Sequence, residues 1–116
     1  MHLSWVKRSN QSWHKLLELD LPSLDATHGV YVIWHGGFPS RVVRVGFGDL
    51  GEQLRACCVD VRVMDFQRYG PLFVTWAAAA PAGAAGIRRH LADRLRPLIE
   101  DSDDPQVVAL TATAPF

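Results

Sequence analysis

The chain has 116 residues, a formal net charge of zero and 48% hydrophobic residues. A chain of this length buries enough surface for one hydrophobic core and too little for two, and its apolar content excludes a disordered or collagen-like protein. Its twelve basic and twelve acidic residues give no strongly basic field, so composition alone does not indicate nucleic-acid binding. We therefore expect one domain over residues 1–116.

In the first half of the chain, the sequence predicts a short helix and a β-hairpin. Asn10-Gln11-Ser12 favours the cap of a helix that runs to Leu19 and is stopped by Pro22. Runs of β-branched and aromatic residues at 29–34 and 41–47 are joined by a Gly-rich turn, which predicts two antiparallel strands.

In the second half, the sequence predicts two helices and a third strand. Asp49 followed by Glu52 three residues later indicates a helix near 49–58 whose first N–H groups are capped by the aspartate. Residues 72–77 form an apolar run typical of a buried strand. Apolar residues recur at helical spacing on one face of a helix over 84–96: Ala84, Ile87, Leu91, Leu95 and Leu98.

The resulting order is (helix)-β-β-α-β-α-(β), where residues 106–111 are the last edge strand. It predicts an α/β (α+β) fold with a small central mixed or antiparallel sheet of three or more strands flanked by helices. The most apolar stretch, 72–87, is interrupted by Thr, Pro and Gly and is too short to cross a bilayer. Residues 1–8 lack the pattern of a secretory signal, and the adjacent Cys57 and Cys58 do not make a disulfide framework. These observations predict a cytoplasmic protein with no membrane partner.

Two triplets on the predicted hairpin, Gly29-Val30-Tyr31 and Arg44-Val45-Gly46, resemble the paired motifs of the GIY-YIG endonuclease superfamily. Residues 45–49, the strand 72–77 and the helical stretch 86–92 are similar to its small single-domain bacterial members. The resemblance covers about residues 28–100 and leaves an N-terminal extension, 1–27, and an acidic C-terminal segment, 100–116. It implies a GIY-YIG-like fold, and the family is known for metal-dependent cleavage of one DNA strand.

The resemblance places the catalytic positions of the family at Tyr31, Arg44, Gln53 and Arg88. Tyr31 keeps the first tyrosine, whereas Arg44 replaces the second and cannot act as a phenol-type base. Gln53 is neutral where the family has an arginine, and Arg88 replaces the glutamate that binds the metal. Because a guanidinium cannot ligate Mg²⁺, the resemblance implies a degenerate site with no metal and no cofactor.

The leading interpretation is therefore a degenerate, non-enzymatic domain that acts as a nucleic-acid- or phosphate-binding module or as a protein-interaction module. Its candidate phosphate-binding residues are Arg44, Arg55, Arg88 and Arg89, since arginine suits phosphate oxygens. Arg55 lies two residues after Gln53, so the geometry of an α-helix places the two side chains about 200° apart around the helix axis. The expected partners are DNA, another phosphate-bearing ligand or a protein.

Two alternatives stay open. The first is an active Mg²⁺-dependent DNA endonuclease with a displaced site, built from Tyr31, His35 and a remote aspartate. The second is an interaction subunit of a larger complex with no nucleic-acid role, for which Trp5 and Trp13 are the candidate interface residues. Cys57 falls where the family often has a helix histidine, and we interpret its thiol as buried packing.

Overall fold

The computed structural model describes residues 1–101 and 104–116. An antiparallel four-stranded sheet in the order β1-β4-β2-β3 forms its centre. The strands are β1 (His14–Lys15), β2 (His28–His35), β3 (Arg41–Asp49) and β4 (Leu72–Ala78), and the helices are α1 (Leu50–Val59), α2 (Val61–Met64) and α3 (Pro81–Leu95). Short 3-10 turns lie at Leu16–Glu18, Leu21–Leu24 and Asp65–Tyr69. The predicted α+β class, the hairpin, the third strand and both main helices are confirmed.

Strand β2 lies between β4 and β3 and is buried on both faces, which explains its continuous apolar sequence. Its side chains alternate between two hydrophobic clusters, as the pleat of a strand requires. Tyr31 and Ile33 pack in the cluster that contains Leu54 of α1. Val30 and Val32 pack in the other cluster, with residues of α3. The sheet is therefore covered by α1 on one face and by α3 on the other.

The ends of the two main helices are set by local sequence. The Asp49 side chain accepts the Glu52 N–H at 3.1 Å, as predicted for the first residues of α1. Helix α3 ends where Arg96 takes a left-handed conformation, with a φ of 53°. The prediction that Leu98 continues the apolar face of this helix is wrong, because the chain has left the helix and Leu98 is 38% exposed. None of the helices in the described part of the chain has the length and apolarity needed to cross a bilayer.

The predicted helix that ends at Leu19 is replaced by β1 and a 3-10 turn. His14 and Lys15 pair with Val74 and Phe73 of β4, and Leu16 is buried in the core. An isolated helix of this length is marginal in water, whereas the edge of β4 offers backbone hydrogen-bond partners. Tertiary pairing therefore prevails over the local capping signal.

The predicted edge strand over 106–111 is also wrong, since this segment contains no strand. The Leu110 N–H donates to the Gly86 carbonyl at 3.0 Å, so the segment lies on α3. Gly86 allows this approach because a Cβ there would overlap the carbonyl of Val108. The backbone donor of Leu110 is thus satisfied by a helix rather than by a neighbouring strand.

Residues 97–101, which we call the strap, run along the outer edge of β3. The Leu98 N–H donates to the Val42 carbonyl at 3.0 Å, and the Ile99 N–H donates to the Val43 carbonyl at 2.9 Å. The Ile99 side chain is buried in the cluster on the α1 face of the sheet. These contacts fix the backbone immediately before Asp101. Residues 102 and 103 of the predicted acidic loop lie outside the described residues.

Candidate functional site

A depression of about 470 Å³ is lined by residues from β2, β3, α1 and α3. Its lining includes all four side chains that the resemblance places at catalytic positions: Tyr31, Arg44, Gln53 and Arg88. It also includes Asp101 and Asp104 of the acidic C-terminal segment. The expected grouping of the four residues is thus present in the structure, together with two carboxylates.

Tyr31 lies beneath the floor of this depression and has no exposed surface. It is paired with Gly46 across the hairpin, and a Cβ at position 46 would overlap the phenol ring and its oxygen. The hydroxyl donates to Gln53 Oε1 at 3.3 Å and lies 3.5 Å from Cys57 Sγ. Burial raises the pKa of the Tyr31 phenol far above its ordinary value, so the group is a neutral hydrogen-bond donor.

Arg44 is held by carboxylates at two places on its guanidinium. Nε donates to Asp101 Oδ2 at 3.0 Å and Nη2 donates to Asp101 Oδ1 at 3.3 Å, which makes a bidentate contact. Nη1 lies 3.5 Å from Asp60 Oδ2 and 3.8 Å from Cys57 Sγ. The Arg44 side chain is only 18% exposed, so these contacts are partly protected from water.

Asp60 is itself fixed by a second arginine. Its Oδ1 accepts the Arg62 backbone N–H at 2.9 Å and its Oδ2 accepts Arg62 Nη2 at 2.9 Å. The Arg62 side chain therefore holds the pKa of the Asp60 carboxyl below its usual range. As a result, Asp60 stays ionised and orients Arg44 from one side.

Gln53 and Arg88 complete the depression from the two helices. Gln53 lies on α1, and its amide oxygen accepts a hydrogen bond from the Tyr31 hydroxyl. Its side chain also lies close to Gly48, whose φ of 132° favours glycine. Arg88 lies on α3 and is 4% exposed, and it lines the same depression as Arg44.

The structure does not bring Arg55 and Arg89 into this depression. Arg55 is exposed on α1 and makes a bidentate ion pair with Asp25, with N–O distances of 2.6 and 3.1 Å. Arg89 donates from Nη1 to the carbonyl of Val107. The four candidate phosphate-binding arginines are therefore divided, with two at the depression and two engaged elsewhere.

His35, named in the displaced-site alternative, is the last residue of β2 and lies four residues after Tyr31. Its Nδ1 accepts the Gly37 N–H at 3.1 Å, and its ring stacks on Tyr69 with 5.2 Å between ring centroids. It lines a different depression, next to the fully exposed Phe38. Tyr31 and His35 thus line separate depressions. Within residues 1–101 and 104–116, no cluster of three or more His, Cys, Asp or Glu side chains is arranged to hold a metal ion.

The two tryptophans proposed for an interface are partly buried within the chain. Trp5 Nε1 donates to the Thr113 carbonyl at 2.8 Å. Trp13 packs edge-to-face on Trp34, with 5.1 Å between ring centroids. Both rings therefore already contact other parts of the molecule.

Sequence reasoning missed Asp60 and Asp101 as partners of Arg44. The available signal was charge: a half-buried arginine on an edge strand needs a carboxylate, and the segment after residue 100 is rich in them. Spacing along the chain could not indicate which carboxylate folds back.

Comparison of the chain with protein-family models, with curated proteins and with solved structures finds no match.

Proposed function

We propose that this chain is a catalytically degenerate GIY-YIG-like domain that binds a phosphate-bearing ligand, with DNA as the first candidate. The observation that carries the proposal is the convergence of Arg44 from β3 and Arg88 from α3 on one depression. Arg44 already holds an oxyanion in its guanidinium fork, because it makes two hydrogen bonds to one carboxylate. Phosphate presents paired oxygens that suit the same fork.

The chemistry of the depression supports binding without hydrolysis. Metal-dependent hydrolysis of a phosphodiester needs an oxygen ligand for the cation and a base that activates water. The resemblance places Arg88 at the position of the metal ligand, and the Tyr31 phenol is buried with a raised pKa. Gln53 supplies a neutral amide where the family uses a cation.

The first experiment measures binding of a short fluorescein-labelled DNA duplex by anisotropy over a series of salt concentrations. Two neutralised phosphates predict a slope of about −2 in log Kobs against log salt concentration. Arg44→Gln should weaken binding about tenfold, because it removes a charge-assisted, bidentate donor. Arg41→Gln is the matched control, since Arg41 is exposed on the same strand and lies outside the depression.

We expect Arg41→Gln to change the affinity less than about twofold. Equal losses in the two variants would show that the protein attracts DNA only through its general charge. Absence of salt-dependent binding to DNA and to inorganic phosphate, both in the wild type and in variants that remove the Asp101 carboxylate from Arg44, would refute the proposed function.

A second experiment separates binding from catalysis. The protein is incubated with supercoiled plasmid and Mg²⁺ or Mn²⁺, and nicking is followed on a gel. We expect no nicking above that of a mock purification. Metal-dependent nicking that is lost in Tyr31→Phe would establish the alternative, an active endonuclease.

A further inference from the structure

We propose that Asp101 is an internal competitor at this depression: its carboxylate occupies the guanidinium fork of Arg44 and must turn away before a phosphate group can bind there. This inference rests on the proposed function and adds a regulatory contact to the same site. The contact places an acidic side chain directly against Arg44, an arginine that the proposed function uses.

The contact uses the donors that an incoming oxyanion needs. Nε and Nη2 lie on one edge of the guanidinium, and both donate to Asp101. Nη1 faces Asp60 instead, at 3.5 Å. When Asp101 leaves, Asp60 still orients Arg44, while the two donors on the other edge become available.

The strap places the backbone of Asp101 close to Arg44. The backbone bonds of Leu98 and Ile99 to β3 and the burial of Ile99 fix the chain two residues before Asp101. Tethering of this kind gives the carboxylate a high effective concentration at the fork. The Asp101 side chain is nevertheless 29% exposed, so it can rotate into solvent while the backbone of the strap stays in place.

Competition of this kind lowers the apparent affinity for any ligand by the fraction of molecules in which the fork is open. Asp104 lines the same depression, and its Oδ1 accepts the Gln106 N–H at 2.9 Å. Asp101 and Asp104 thus provide a matched pair, in which the Asp101 carboxylate fills the fork of Arg44 and the Asp104 carboxylate accepts the Gln106 N–H instead.

The test compares Asp101→Asn with Asp104→Asn. Each variant removes one negative charge from the depression without changing side-chain size. Two probes are titrated against each protein: the short fluorescein-labelled DNA duplex, followed by anisotropy, and inorganic phosphate, followed by calorimetry. The titration with DNA measures binding to a nucleic-acid phosphodiester, and the titration with inorganic phosphate measures binding to a free anion.

We expect Asp101→Asn to bind at least one of the probes about tenfold more tightly than the wild type, because a charge-assisted contact no longer competes. Asp104→Asn should bind less than about twofold more tightly. Adding Arg44→Gln to Asp101→Asn should abolish the gain. Near-UV circular dichroism checks the fold of each variant, and Asp101→Ala is the second variant if the asparagine disturbs the strap.

The outcomes separate this inference from the proposed function. Equal gains in the two asparagine variants would assign the effect to general charge and would overturn the inference. Binding by the wild type that Asp101→Asn leaves unchanged would overturn the inference but retain the proposed function. Failure of the wild type and of both Asp101 variants to bind either probe would overturn the proposed function and the inference together.

Discussion

Replacing Gly46 by alanine should destabilise the protein by forcing Tyr31 away from β3. A Cβ at position 46 would overlap the hydroxyl oxygen, Cζ and Cε1 of Tyr31. The ring has no exposed surface and is confined by Gln53 and Cys57, so it cannot move aside without disturbing α1. Overpacking of a dense core costs about 1–3 kcal/mol, and we expect a value near the upper end, about 3 kcal/mol.

The loss is measured by urea unfolding followed by tryptophan fluorescence. In thermal unfolding, a loss of about 3 kcal/mol in the free energy of unfolding corresponds to a fall of about 15 °C in Tm for a domain near this size. Gly83→Ala is the matched control, because its Cβ would meet only Leu110 Cδ1, at 3.4 Å, and Gly83 lies within α3. Since alanine favours a helix over glycine, Gly83→Ala should raise the free energy of unfolding by about 0.5–1 kcal/mol.

The two substitutions should therefore move stability in opposite directions although they make the same chemical change. A free energy of unfolding for Gly46→Ala within about 0.5 kcal/mol of the wild type would refute the close approach of Tyr31 to β3. A loss of the same size in Gly83→Ala would assign the effect to glycine replacement in general.

Three further outcomes follow from the described contacts. Gly86→Ala should lower the free energy of unfolding in urea by about 1–2 kcal/mol, because its Cβ would displace the C-terminal segment from α3, and an unchanged midpoint would contradict that packing. Ellman's reagent should label Cys58 before Cys57 in the native protein, since burial raises the pKa of both thiols and Cys57 has no exposed surface; equal rates would contradict the burial. The pKa of Asp60 is held below its unfolded value, so its contribution to stability is present above about pH 5 and is lost as the pH falls through the folded pKa. Asp60→Asn should therefore reduce the loss of stability on acidification, measured as urea midpoints between about pH 5 and pH 2, and an unaltered pH dependence would contradict the role of the Asp60 carboxylate.

The sequence predicts the elements whose signals are local. The hairpin strands follow from dense β-branched runs around a Gly-rich turn, and the start of α1 follows from the side chain of Asp49. Strand β1 was not predicted, because its partners, Val74 and Phe73, lie about sixty residues further along the chain. A strand of two residues is too short to show an alternating pattern in the sequence. Only the pairing with the edge of β4 identifies it as a strand.

The candidate site was likewise predicted only in part. The resemblance groups Tyr31, Arg44, Gln53 and Arg88, and the structure places all four at one depression. Helical geometry predicts that Arg55 turns away from Gln53, and Arg55 pairs with Asp25 outside the depression. The contact of Asp101 with Arg44 spans 57 residues and depends on the path of the strap, which no local pattern specifies.

The strap also has a consequence for how the sheet meets other molecules. A strand at the edge of a sheet presents unpaired backbone groups, which invite a strand from another chain and lead to aggregation. The carbonyls of Val42 and Val43 on β3 are already used by the backbone of Leu98 and Ile99. Because the backbone of the strap covers this part of the edge while a side chain further along fills the fork of Arg44, the fork can open without exposing the carbonyls of Val42 and Val43. At Val42 and Val43, binding in the depression is thereby separated from the risk of edge-to-edge association.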